Sequence, residues 1–190
     1  MSLHDAEIDA ITSNNDEPTF ENTILAYDNA GQMLAQTELI FGMLCAAETN
    51  ERMQALQEQV MPLLSAHRDK IRLDEKLFAR VKDVYDRRAS LGLDAEESRL
   101  LRKTYDAFVR SGALLDAGQK ARLKEINGEL SLTAVKFGNN ILAENNNFAL
   151  ELTADDLEGL PSGVRDAARE KAQAMGKGDK WVFTLHKPSL

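Results

Sequence analysis

Cysteine occurs once, at Cys45, so no internal disulfide can staple this chain. Histidine occurs three times, at His4, His67 and His186, scattered along the sequence. That spacing excludes the His-Glu-x-x-His pair by which one helix face presents two imidazoles to zinc. No Gly-x-Ser-x-Gly elbow is present to expose a nucleophilic serine. Gly176-Lys177-Gly178 lacks a third glycine and a following helix, so it reads as a turn and not as a phosphate loop. No apolar run is long enough to cross a bilayer. Basic residues are the minority charge: 23 Lys and Arg stand against 31 Asp and Glu, a formal net charge of -8. Such a surface predicts no nucleic-acid partner, which would need a basic footprint, and no adhesion to an anionic membrane.

What is present is a helical sequence with enough apolar content, 43%, to fill a core. Ile8 and Ile11 mark a short first helix over residues 5–13. Pro18 then disfavours helix at Glu17. Thr19 caps a long second helix, residues 19–47, with Phe20, Ile24, Tyr27, Leu34, Ile40, Phe41 and Leu44 as its stripe. Thr49-Asn50 caps a third, carrying Met53, Leu56, Val60 and Leu63 or Leu64, and Pro62 predicts a kink or restart inside it. Asp74 caps a fourth, with Leu77, Phe78, Val81, Val84 and Tyr85 on one face and Gly92 as its stop.

Asp94 with Glu97 forms a capping box for a fifth helix bearing Leu100, Leu101, Tyr105, Phe108 and Val109, closed by Ser111-Gly112. Asp116 with Gln119 repeats that logic for a sixth. Its apolar residues are Leu123, Ile126, Leu130, Ala134, Phe137 and Ile141, and it breaks at Asn145-Asn146-Asn147. The period then changes to two. Residues 148–152 and 181–185 read as strands able to pair antiparallel. Between them, Thr153 to Asp156 starts a short helix and Pro161 another. The expected fold is mainly α, an antiparallel helical bundle or array with a small two-stranded β element near the C-terminus. Residues 1–17 form a leader and first helix, 18–146 a helical body, and 147–190 a mixed tail.

The residue types that carry chemistry have structural readings here. Cys45 reads as a small core residue. His4 belongs to a loose terminus, and His67 to a charged helix face beside Arg68 and Asp69. Asp155-Asp156 and Glu96-Glu97 sit where helix starts favour negative charge. Met33, Met43 and Met53 read as core filling. No catalytic, cofactor-binding or metal-ligating residue is assigned.

Several segments, in order, resemble the M3 zinc metallopeptidases, in particular the bacterial peptidyl-dipeptidase and oligopeptidase A group. They are Pro18-Thr19-Phe20-Glu21-Asn22-Thr23-Ile24, Ala26 to Leu34, Tyr105 through Phe108-Val109-Arg110-Ser111-Gly112-Ala113-Leu114-Leu115, Phe137-Gly138-Asn139-Asn140-Ile141-Leu142, Leu157-Glu158-Gly159-Leu160-Pro161, and Trp181 to Leu190. The resemblance implies the N-terminal, non-catalytic region of a longer peptidyl-dipeptidase that cleaves short peptides. These helices would wall a substrate channel. A C-terminal catalytic domain would be their partner and would hold zinc on a His-Glu-x-x-His helix. No zinc is expected in these 190 residues, and no hydrolysis by them alone.

Met1-Ser2-Leu3 reads as an expression leader without a signal peptide, which leaves a bacterial cytoplasm or periplasm open. Two alternatives stand beside this reading. One is the corresponding part of an oligopeptidase A-type endopeptidase. The other is a free-standing helical module that binds partner helices in a groove.

Overall fold

Short polar side chains begin most of the helices, and they do so by filling orphan backbone donors. In the computed structural model, which describes residues 1–185, Asn50 accepts from Met53 N at 3.0 Å and Asp74 from Leu77 N at 2.7 Å. Asp94 and Glu97 complete the expected capping box, as do Asp116 with Gln119, and Thr153 donates from both its N and its Oγ1 to the Asp156 carboxylate. The Thr153 bonds hold the Asp156 carboxyl below the usual carboxylate range.

The element order is α1 (Ser2–Thr12), a π-helical turn (Phe20–Leu25) continuing into α2 (Ala26–Asn29), α3 (Gln32–Ala47), α4 (Glu51–Arg72), α5 (Glu75–Asp86), α6 (Ala95–Arg110), α7 (Ala117–Asn147), β1 (Leu150–Leu152), α8 (Ser162–Ala174) and β2 (Trp181–Phe183). Short 3₁₀ turns lie at Arg88–Ser90 and Ala154–Leu157. The fold is mainly helical with one small antiparallel sheet, as the periodicities predict.

Beyond shifts of two or three residues at other element ends, three features differ from the sequence reading. The expected second helix is broken at Ala30-Gly31, because Gly31 takes a left-handed φ of 77° and restarts the chain as α3. The helix around Pro62 does not restart; α4 runs through it as one element. The fourth helix ends at Asp86, well before Gly92, whose φ of 66° instead turns the chain toward α6.

The chain divides into two compact units, residues 1–135 and 136–190, with the division inside α7. In the first, the core gathers Ile8 and Ile11 of α1, Phe20 and Ile24 of the π-turn, Leu77, Phe78, Val81 and Val84 of α5, and Leu101 and Phe108 of α6. A ladder of rings crosses it. Tyr85 stacks on Tyr105 at 3.8 Å, and Phe78 lies 6.0 Å from both Tyr105 and Phe108. An arginine sits at each end of this ladder, Arg88 over Tyr85 and Arg72 over Phe108 and Tyr27.

The second unit is small. β1 and β2 pair with Leu150 opposite Phe183 and Leu152 opposite Trp181. Ala168 and Ala172 of α8 are buried, as is Val182 at the centre of β2. Arg169 stacks over the Trp181 ring at 4.8 Å.

Candidate functional site

The opening motif does structural work through a residue that helix statistics pass over. Thr19 caps the π-turn as expected, and Asn22 completes the box by accepting from Thr19 N at 2.8 Å. The same Asn22 oxygen accepts from Thr23 Oγ1 and from Arg80 Nη2 at 3.0 Å, while its amide nitrogen donates to the Glu17 carbonyl. Arg80 is buried on α5 and also donates to the carbonyls of Asn14 and Asp16. One asparagine and one arginine thus tie the Pro18 loop to the core. The sequence signal for this was an arginine on an otherwise apolar face of α5.

The histidines are placed differently from the surface positions expected of them. His4 lies within α1, which packs on the core through Ile8 and Ile11, so it is not in a loose terminus. His67 is buried, with a relative exposure of 6%. Its Nε2 and the Nδ1 of His4 stand 3.1 Å apart, one donating to the other according to tautomer. Burial, then the neighbouring His67, push the His4 imidazole below its usual value. Asp5 lies 3.8 Å from the other nitrogen of His67, and its hydrogen bond from Lys70 holds its carboxyl down. Gly31 is pinned beside the pair, its N–H donating to Glu7 Oε2 at 2.7 Å. His186 lies outside the described residues.

Two imidazole nitrogens face each other, while Asp5 sits on the opposite edge of His67. Among the described residues, no three His, Cys, Asp or Glu groups converge as a metal site requires.

The histidine pair opens onto a cleft of about 550 Å³ within the first unit. Arg68, Asp69 and Arg72 of α4, Arg110 at the end of α6, Glu38 of α3 and Asn127 of α7 line it with them. Arg68 pairs with Glu38, and Asp69 accepts from Asn127 Nδ2 at 2.8 Å.

A second feature is apolar. Helix α3 has no buried residue, and Met33, Leu39, Ile40 and Met43 are each at least 60% exposed. On α7, Ile126, Leu130, Phe137 and Ile141 are also exposed. The expected core roles of Met33 and Met43, and of Ile126, Leu130, Phe137 and Ile141 on α7, are therefore corrected, since these side chains stand exposed; Leu123 of the same stripe is half-buried. Cys45 is half-buried on the same α3 rather than in the core. Among the described residues, no helix is long and apolar enough to cross a membrane.

No family model matches the chain. Over 97% of its length it is 38% identical to a dipeptidyl carboxypeptidase of Escherichia coli (strain K12), and over 94% it is 37% identical to a dipeptidyl carboxypeptidase of Salmonella typhimurium. What the chain is similar to, along nearly its whole length, are peptidases of the M3 family. A thimet-like oligopeptidase of Dictyostelium discoideum is 26% identical over 75% of the chain. The chain spans about a quarter of the length of the curated relatives it matches, 27% and 26% of the two bacterial enzymes.

Proposed function

We propose that this chain is the N-terminal, non-catalytic region of a zinc-dependent peptidyl-dipeptidase, and that its helices form one wall of the channel that admits short peptides. The observation that carries this is the match to dipeptidyl carboxypeptidases along nearly the whole chain but only about a quarter of theirs. The bare apolar faces of α3 and α7 support it, because apolar surface of that extent is costly to leave in water and marks a contact. The occupant proposed for those faces is the remainder of the parent peptidase, which would carry the zinc and the base that activates water. Residues 18–146 supply the wall, and 147–190 lead into the catalytic part. The compartment of the parent would be a bacterial cytoplasm or periplasm.

The test has two arms. The 190-residue chain, purified to homogeneity, should not hydrolyse a blocked tripeptide; chelator-sensitive hydrolysis would overturn the reading. In the full-length parent, replacing Ile40 and Met43 of α3 with glutamate should lower peptidase activity at least tenfold, and unchanged activity would remove α3 from the wall.

A further inference from the structure

The last residue of α4, Arg72, is held in an unusual state. Its guanidinium carbon lies 5.2 Å from the centre of the Phe108 ring and 5.6 Å from that of Tyr27. The rings attract the flat face of the cation, but they offer nothing to N–H donors lying in the guanidinium plane. Nη1 is buried and has no acceptor. A charged donor withdrawn from water without an acceptor is among the costlier arrangements in a folded chain.

The surroundings sharpen this. Arg72 lines the cleft together with Arg110, and neither has an acidic partner among the described residues. Both acids of the lining are already engaged, Glu38 by Arg68 and Asp69 by Asn127. Three guanidiniums therefore face two occupied carboxylates, on a chain whose net charge is -8. The two rings already restrain the Arg72 head, so less side-chain freedom remains to be lost when an anion docks.

We propose that Arg72, assisted by Arg110, is a carboxylate-binding site in this cleft. An anion follows from the charge and the orphaned donor. That the anion is a peptide carboxylate rests on the peptidase-wall reading. The planar fork of Arg72 matches a carboxylate in two-point contact. The carboxylate comes either from a peptide's C-terminus or from an aspartate or glutamate side chain.

Titration calorimetry of the 190-residue chain decides, with four probes: N-acetyl-tetraalanine as the free acid, its C-terminal amide, N-acetyl-Ala-Ala-Glu-Ala amide, and inorganic phosphate. The expected result is that at least one carboxylate-bearing peptide binds tenfold or more tighter than tetraalanine amide. Preference for the free acid assigns the terminus; equal binding of the glutamate amide assigns a side chain. Arg72→Leu should abolish the preference without lowering the melting temperature, since it exchanges an unpaired buried charge for an apolar group. Arg110→Gln, on an exposed residue, should weaken binding several-fold with folding intact.

Failure of both carboxylate-bearing peptides to bind more tightly than tetraalanine amide, no binding by any probe, or binding of phosphate alone would each overturn the proposal. So would a large loss of stability in Arg72→Leu with no binding by the unmodified chain, which would make Arg72 a structural cation. The wall reading is judged separately, by the α3 substitutions in the parent, whose outcome does not depend on Arg72.

Discussion

Helix α5 buries five residues in twelve, while α3, four residues longer and full of Leu, Ile and Met, buries none. The difference lies in how apolar residues are distributed. In α5, Leu77, Phe78, Val81 and Val84 share one face with the buried Arg80 and the other charges lie away from it, so a single docking satisfies the helix. In α3, apolar side chains run around most of the helix and Glu38 is the one charged residue. A helix apolar on all sides needs cover on all sides, and the described residues do not supply it. The comparison separates a helix that the described residues cover from one that they leave bare.

The self-sufficient side of that comparison breaks most severely at its centre. Phe108 is fully buried and touches both Phe78 and Tyr27 in the ring ladder. Phe108→Ala should cost about 3–5 kcal/mol from lost burial and the cavity left behind, read as a fall in the urea midpoint. A loss below about 1 kcal/mol would mean that the ladder is not the core.

Next comes the hub at the opening motif. Asn22→Ala removes a cap acceptor, a few tenths to about 2 kcal/mol by itself, and strands a donor of buried Arg80. Together these should cost about 2–3 kcal/mol. An Arg80→Leu background should absorb much of that loss, and full additivity of the two substitutions would show that they do not act as a unit.

These two residues also mark the limit of legibility. Caps, turns and the change to strand period were readable, because Asp94, Asp116 and Thr153 act on neighbours a few residues away. The ring ladder was readable as separate faces but not as a ladder. The role of Asn22 was not readable, since its decisive partner lies 58 residues downstream. His67 was misread for the same reason: Arg68 and Asp69 argue for an exposed face, while the helix turns the imidazole toward His4. The stripes of α3 and α7 obeyed the period but say nothing of whether a partner exists. The orphaned donor of Arg72 had no sequence signal at all, because it arises from where Phe108 and Tyr27 place their rings.

At the junction of the two regions, Gly31→Ala places a side chain in the left-handed conformation, worth about 1–2 kcal/mol. The added methyl would also stand 2.7 Å from the His4 ring. Pairing it with His4→Ala should recover the crowding part and leave the backbone part. If the double variant is no more stable than Gly31→Ala alone, the close approach is not the cause.

A smaller effect follows from protonation of His4. Burial lowers its folded-state value below 6.5, so the folded chain favours the neutral ring while the unfolded chain binds a proton more readily. Stability from this group is therefore full above about 6.5 and is lost as pH falls through the folded value. The loss belonging to Asp5, whose carboxyl is also held down, comes at lower pH, below 3.8. Urea midpoints between pH 7.5 and 5 should fall less in His4→Gln than in the unmodified chain; identical slopes would remove His4 from the account.

The smallest expected change in stability belongs to α3, and it is the sharpest test of the contrast. Ile40→Glu with Met43→Lys places opposite charges on a face that is at least 60% exposed. Exposed positions without partners rarely shift stability by more than about 0.5 kcal/mol, so the urea midpoint should hold. Association should not hold. An uncovered apolar helix drives self-association in water, so sedimentation of the unmodified chain should show mass rising with concentration, and the double variant should abolish that rise. A marked loss of stability in the double variant would mean that α3 is covered within this chain. A clean monomer in both would mean that its apolar surface is too dispersed to act as a contact, and the wall would then rest on α7 alone.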